Sequence, residues 1–299
     1  MSMAMLPFDD RDGAIWYDGR LVPWRDARMH VLSHGLHYAS CVFEGERIYG
    51  GTIFRLREHT QRLIDSGRIL GFEHPWSVAE LEAASKEVVR AMGIGDGYVR
   101  PISWRGAEQM GVAAQQTKIH TAIAVWEWPA YFSPDAKMRG IRMCWAKWAR
   151  PAPNTAPTAA KCSGLYMICT LSKHAAEAEG FDDALMLDWR GQVAEATGAN
   201  IFLGIDGTLH TPTPDCFLDG ITRRAVMGLA KARQIKVIER AIMPDELKKA
   251  QEIFITGSAA EVTPVTQIGD QKWPVGPISK QLAADFDKLV RTPETVGAK

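Results

Sequence analysis

Residues 148–158 read Trp-Ala-Arg-Pro-Ala-Pro-Asn-Thr-Ala-Pro-Thr, and three prolines in so short a run exclude both a helix interior and a central strand. The chain must cross this stretch as an irregular connection, so regular structure has to be organised on either side of it. Upstream, Asp18-Gly19 falls between two apolar runs, the signal for a tight β-hairpin. Residues 57–70 space Leu63, Ile64 and Leu70 as a helix does, and Ser77 with Glu80 forms a capping box opening a second helix through Leu81, Val88, Val89 and Met92. Residues 97–104 and 119–128, rich in β-branched and aromatic side chains, predict buried strands. Downstream, the patterns predict helices over 165–179, 222–233, 244–250 and 278–290. Strands are predicted over 183–188, 236–239, 252–256 and 262–267, with a second hairpin at Asp206-Gly207. The expected architecture is a small α+β N-terminal domain over 1–128, a linker region over 129–160 and a larger α/β C-terminal domain over 161–299.

Composition narrows the partners. Lys plus Arg equals Asp plus Glu at 35 each, so no net field favours nucleic acid or an anionic membrane surface, and a small molecule is the expected partner. The five cysteines, Cys41, Cys144, Cys162, Cys169 and Cys216, are scattered and never spaced C-x-x-C, which argues against a disulfide framework and a zinc site and for a reducing compartment. No apolar run reaches the length of a membrane span and the N-terminus lacks a basic-then-apolar leader, so a soluble cytoplasmic protein is expected.

Several short segments could carry chemistry. Lys161 lies among small residues directly after the proline-rich run, where desolvation can lower an amine's pKa as Schiff-base chemistry needs; an ordinary solvated loop lysine is the competing reading. Glu195, before the small-residue turn Ala196-Thr-Gly-Ala199, needs a cation if buried, and a protonated pyridine nitrogen is one; otherwise it is an exposed turn acid. The run 218–224 leads into a helix, so the amides of Ile221 and Thr222 and the Thr222 hydroxyl can hold a phosphate, and the turn at 256–261 offers similar free N–H groups. Each is equally a plain helix start or turn when taken alone. His30, His34 and His37 invite a metal reading, but nothing nearby supplies converging carboxylate or thiolate ligands, and structural hydrogen bonds are the expected use. Arg55, Arg57 and Arg62 form a basic cluster, either a solvated helix face or a source of a phosphate-binding guanidinium.

Taken in order, these segments resemble one family. The motifs are His34-Gly-Leu-His-Tyr38, Val42-Phe-Glu-Gly45, Phe54-Arg-Leu-Arg-Glu-His59 with Gln61-Arg-Leu63, Tyr98-Val-Arg-Pro101, Met110-Gly-Val112, Arg150-Pro-Ala-Pro-Asn-Thr155, Ala160-Lys161, Glu195-Ala-Thr-Gly198, Asp219-Gly-Ile-Thr-Arg223 and Gly257-Ser-Ala-Ala-Glu-Val-Thr-Pro264. Over nearly the whole chain the sequence resembles the class IV pyridoxal-phosphate aminotransferases and, within them, the branched-chain amino-acid aminotransferases. The resemblance implies a two-domain α+β and α/β fold with a β-barrel-like core in the larger domain, pyridoxal 5'-phosphate as cofactor, and transamination between L-leucine, L-isoleucine or L-valine and 2-oxoglutarate. It implies that Lys161 carries the cofactor and moves the substrate's α-proton, that Tyr166 meets the cofactor's phenolic oxygen, and that Glu195 meets its ring nitrogen. Arg62, Ile221, Thr222 and Ser258 would hold the phosphate. Tyr98 and the amides of Ser258 and Ala259 would take the substrate's α-carboxylate, and Arg100 the distal carboxylate of glutamate. Tyr38, Phe43, Val112, Trp128 and Tyr131 would wall the side-chain pocket, with Tyr38 and the Met110–Val112 loop reaching in from a second subunit, which implies a homodimer or a higher homo-oligomer.

The sequence departs from the family at three places: Ala199 stands where many relatives have glutamate, Ser258 where threonine is frequent, and Glu46 where isoleucine is commoner. Alternatives on the same fold are a D-amino-acid aminotransferase, an R-selective amine transaminase and an aminodeoxychorismate lyase. Tyr98-Val-Arg100 with Met110-Gly-Val112 favours the branched-chain pattern over these. A non-catalytic cofactor carrier is disfavoured by the presence of both Lys161 and Glu195, since phosphate anchoring requires neither.

Overall fold

The computed structural model describes residues 6–128 and 139–292, which fall into two compact units. The first takes the described residues up to 128 together with Ala160–Gly164; the second takes the described residues of 139–159 and those from Leu165 onward. The lysine segment thus sides with the N-terminal residues, where the sequence reading gave 129–160 to a linker and Lys161 to the second domain. The reason is local: Val42 bridges Cys162 in antiparallel fashion, and the Phe43 amide donates to the Lys161 carbonyl at 3.1 Å.

The first unit is an antiparallel sheet with helices on it. Strands β1 (Ala14–Tyr17), β2 (Arg20–Pro23), β3 (Cys41–Phe43), β4 (Glu46–Tyr49), β5 (Thr52–Ile53), β6 (Gly97–Arg105) and β7 (Ile119–Glu127) run in the order β2-β1-β7-β6-β4-β5, with β3 also on β6. The hairpin at Asp18 and Gly19 forms with φ of 46° and 95°, the positive values its tight turn demands. Alternation gives β6 and β7 two faces. Val99, Ile123 and Val125 lie on one and are fully buried, as is Ile48 of β4. Tyr98, Arg100, Ile102 and Trp104 lie on the other. Helices α2 (Leu56–Ile69) and α3 (Val78–Met92) bury Leu63, Ile64, Leu81 and Val88, and Ser77 with Glu80 caps α3 reciprocally. The short helix α1 (His34–Tyr38) sits on the Trp104 face, where a Cβ at Gly35 would press on Trp104.

The second unit is built on a closed ring of six strands, β10-β9-β8-β15-β14-β11 and back to β10: β8 (Ile141–Trp145), β9 (Asp183–Leu187), β10 (Val193–Ala196), β11 (Asn200–Ile205), β14 (Glu252–Gly257) and β15 (Glu261–Ile268). Closure removes the free edges a six-stranded sheet would otherwise present. Strands β12 (Thr208–Thr211), β13 (Val237–Glu239) and β16 (Gln271–Lys272) extend it, and the β11–β12 turn uses Asp206 and Gly207 at φ of 48° and 74°. One side of the barrel wall carries Ile141, Met143, Leu185, Ile201, Leu203, Ile253, Ile255 and Val265 in a single apolar cluster. On the other, Phe202 and Phe254 stack at 5.0 Å, where α5 (Ile221–Ala232) and α6 (Pro277–Arg291) pack on β14. Helix α4 (Tyr166–Ala178) packs on β9.

Candidate active site

In the first unit the lysine is fixed by its backbone. The Lys161 amide donates to Ser66 Oγ at 3.0 Å, and its carbonyl takes the Phe43 amide, so the side chain leaves a pinned stretch. Its Nζ stands 4.9 Å from the centre of the Phe43 ring. Burial, with Arg62 adding, pushes the amine below the ordinary lysine value while Glu44 partly restores it. The direction is the one a nucleophilic amine requires.

Beside it is a charge cluster no sequence argument picked out. Glu44, fully buried, accepts a fork from Arg62, Nε to Oε1 at 2.6 Å and Nη2 to Oε2 at 2.9 Å, and His59 Nδ1 lies 2.6 Å from Oε2. Desolvation opposes ionisation, but Arg62 and His59 outweigh it and hold the Glu44 carboxyl far below the ordinary range. His59, Arg62 and Ser66 follow helical spacing along one stripe of α2, so a single helix carries the guanidinium and pins the lysine backbone. Of the three arginines noted in sequence only Arg62 has this setting: Arg55 pairs with Glu58 and Arg57 with Glu82 at the surface.

Aromatic walls flank a second guanidinium. Arg100 lies 4.9 Å from the Phe43 ring centre and 5.4 Å from that of Tyr98, and Tyr98 meets Trp128 at 4.6 Å. The Arg100 Nε is buried and makes no hydrogen bond among the described residues. A Cβ at Gly45 would collide with the Tyr98 hydroxyl, which explains the glycine in Phe-Glu-Gly. The face carrying Arg100 opens into an apolar cleft of about 490 Å³, lined by Tyr17, Leu36, Ile102, Trp104, Ala122 and Ser163 among others. Tyr38 and Val112 are exposed, Val112 at 89%. They are nonetheless tied together, since His34 stacks on Tyr38 at 4.5 Å and its Nε2 bonds the Gly111 carbonyl at 2.9 Å. His37 bonds the Val31 carbonyl, so both rings are engaged by backbone oxygens. Tyr131 lies outside the described residues.

The second unit holds the other candidates. Glu195 stands on β10 within 3.5 Å of the buried Arg150 guanidinium, whose Nε also donates to the Cys216 carbonyl. Burial would lower the Arg150 pKa, but Glu195 first, then Cys169 and Tyr166, raise it above the ordinary value. Asn200 donates from Nδ2 to Glu195 at 3.3 Å and to the Leu218 carbonyl at 3.0 Å, tying the acid's strand to the turn before α5. A Cβ at Gly220 would strike the Asn200 side chain, so the glycine preceding Ile221 is a packing requirement. Gly220 supplies no side-chain cap, which leaves the first-turn amides of α5, with Ile221 and Thr222 buried, unserved by any cap. Arg223 locks that helix start, bonding Asp219 at 2.9 Å and Glu239 at 2.6 Å. Asn200 is also the ladder partner of Thr256, so the turn bearing Ser258 and Ala259 begins two residues beyond it.

The family model described as "Amino-transferase class IV" matches residues 41–268. The chain belongs to the class IV aminotransferases. It is 42% identical over 297 residues to the branched-chain-amino-acid aminotransferase of Pseudomonas aeruginosa, covering 97% of this chain and 95% of the relative. It is 40% identical to the enzyme of the same name from Escherichia coli K12, with 91% of each chain covered. Among solved structures, the branched-chain amino acid aminotransferase of T.th. with pyridoxamine 5'-phosphate superposes with a TM-score of 0.91 at 40% identity, covering 95% of this chain and 96% of that one. The Escherichia coli enzyme gives 0.91 at 38% identity, covering 96% and 98%. In this class IV aminotransferase, Glu44 and Arg150 are the residues that reading the sequence had left without roles. Glu44 was hidden because its partners come from a helix 15 and 18 positions away, and Arg150 because its proline-rich surroundings read only as a connection.

Proposed function

We propose that this aminotransferase moves the amino group between L-leucine, L-isoleucine or L-valine and 2-oxoglutarate on pyridoxal 5'-phosphate. The observation that carries the reading is the buried Lys161 amine beside Phe43 and Arg62, in a family whose relatives bear this activity in their names. The donor set fits the cofactor: a desolvated lysine for the aldehyde, a buried guanidinium and an uncapped helix start for a phosphate, and a carboxylate held beside a second buried guanidinium for a ring nitrogen. When bound, the cofactor supplies an aldehyde that takes the amino group and a ring that accepts the electron pair left when the α-proton departs.

This chain's residues do the rest. Lys161 carries the cofactor and, once released by the incoming amine, takes the substrate's α-proton as a general base and returns it as an acid. Arg62, the amides of Ile221 and Thr222, the Thr222 hydroxyl and Ser258 hold the phosphate. Glu195 meets the ring nitrogen and Tyr166 the phenolic oxygen. Tyr98 and the amides of Ser258 and Ala259 take the α-carboxylate. Phe43 and Trp128 give leucine-like side chains an apolar wall, with Tyr131 assigned to that wall too. Arg100, with a donor to spare beside Phe43, takes the distal carboxylate of glutamate, so one pocket serves both substrates.

Tyr38 and Val112 complete the pocket of a second copy, which makes the working unit a homodimer; the exposed Met29, Val31 and Leu36 next to the apolar cleft support an interface there. No described helix is long and apolar enough to cross a membrane, and we assign the enzyme to the cytoplasm. The test is the visible absorption of the purified protein before and after L-leucine, with no oxo acid present. Conversion of the bound-cofactor band is expected; a stationary band with L-leucine that moves with D-alanine or an aromatic amine would replace the substrate assignment.

A further inference from the structure

Glu46 breaks the pattern of the sheet it sits in. Its ladder partner is Val99, and it shares with Val99, Val125 and Ile48 the sheet face that is fully buried. The residue is 0% exposed, and neither carboxyl oxygen has a hydrogen-bond partner among the described residues. It lies two residues beyond Glu44 along extended chain, on the side from which α2 presents His59 and Arg62. An ionised carboxylate without partners in such a place is untenable, so the group must keep its proton. Burial indeed pushes it well above the ordinary carboxylate range, Glu44 adds to the effect, and Arg62 opposes it.

We propose that Glu46 is a positioning residue for the phosphate anchor: as an uncharged acid it leaves Arg62 to Glu44 and the phosphate, and on losing its proton it becomes a second buried anion that weakens Arg62's hold on a phosphate dianion. The proposal rests on Arg62 being that anchor. The groups that act on Glu46 are Glu44, from the β3–β4 connection, and Arg62, from α2. His59, which burial lowers below its usual value, stays neutral at neutral pH and donates to Glu44 without adding charge. While Glu46 is neutral the anchor is at full strength, and its ionisation as pH rises repels the dianion and competes for the guanidinium.

The experiment is the affinity of the full-length apoenzyme for pyridoxal phosphate, followed by quenching of tryptophan fluorescence as the pH is raised from about 6 to about 10, the direction in which a raised carboxyl ionises. It compares wild type, Glu46→Gln, Glu46→Ile and Arg62→Gln. Effects common to all chains, such as titration of Lys161, cancel in the ratio of variant to wild type. Glu46→Gln over wild type should begin near one and climb to roughly tenfold tighter at the alkaline end. Glu46→Ile, which removes the carboxyl altogether, should follow Glu46→Gln and serves in its place if that variant does not fold. A ratio that stays flat across the range while Arg62→Gln binds poorly overturns the role of Glu46 and spares that of Arg62. If Arg62→Gln binds as wild type does, the anchor assignment itself falls. A carbonyl band of an unbonded carboxylic acid, present in the infrared difference between wild type and Glu46→Gln at neutral pH, is the direct sign of the stored proton; its absence overturns the proposal.

Discussion

Replacing Arg150 by methionine isolates what a buried cation does for Glu195. At 3.5 Å and an effective dielectric near 20, the Arg150–Glu195 attraction is about 5 kcal/mol before relaxation. The bond from Asn200 and local rearrangement recover part of it, leaving about 3 kcal/mol. A proton shared between a carboxylate and a ring nitrogen resides on the stronger base. On the proposed assignment of Glu195 to the ring nitrogen, Arg150 would make Glu195 the weaker of the two, and a bound ring would keep the proton that makes it a good electron sink. Without the guanidinium Glu195 would compete for that proton, and kcat should fall on the order of a hundredfold with KM for leucine nearly unchanged. Steady-state kinetics and the pH titration of the bound-cofactor band measure both effects. The decisive comparison is the double variant: if Arg150 acts through Glu195, adding Arg150→Met to Glu195→Gln removes little further activity. A double variant a further hundredfold slower would refute the reasoning, because Arg150 would then act by another route. Arg150→Lys should recover part of the rate, keeping the charge and losing the guanidinium's bond to the Cys216 carbonyl.

Other expectations follow from the same geometry. Lys161→Ala should fold, since Ser66 is held by the backbone amide, yet lose the covalent cofactor band and nearly all turnover. Arg62→Gln leaves Glu44 a buried anion with only His59 and the Gly45 amide, and should lower stability by about 3 kcal/mol in denaturant melts as well as cofactor affinity. Glu44's folded pKa is depressed, so its contribution to stability is present above its unfolded value of 4.5 and is lost as pH falls below it; wild type should show that acid slope and Arg62→Gln much less of it. Arg100→Met should raise KM for glutamate far more than for leucine if, as proposed, only the distal carboxylate uses the charge.

How much of this the sequence could reveal depended on whether the physics was local. Both Asx-Gly hairpins, the Ser77 cap and the helix starting at Ile221 follow from a few adjacent residues, and each forms where expected. Closure of the six-stranded ring does not, because β10 meets β11 on one side and β9 on the other through a single short strand that carries no alternation strong enough to flag it. The same holds for charge. Lys161 and Glu195 stood out through their small-residue surroundings, whereas Glu44 and Arg150 acquire meaning only from groups brought to them by folding.

Glu46 shows the limit most clearly. In sequence it is one acid in a run reading Phe-Glu-Gly-Glu-Arg, with two acids and an arginine that suggest a solvated turn. In the fold, Glu44 in the β3–β4 connection and Glu46 at the start of β4 are both fully buried, and only Glu44 has the Arg62 fork. Two like charges at one buried site cannot both persist, so folding itself divides the pair into an anion and an acid. Removing the acid should therefore stabilise the protein, and do so more as pH rises from 4.5 through the folded pKa, since the unfolded chain gains from ionising Glu46 and the folded chain does not. Thermal melts of Glu46→Gln against wild type at about pH 5 and about pH 8 check this, the first close to the unfolded value and the second well above it. Equal differences at both pH values would mean that the folded protein tolerates the charge.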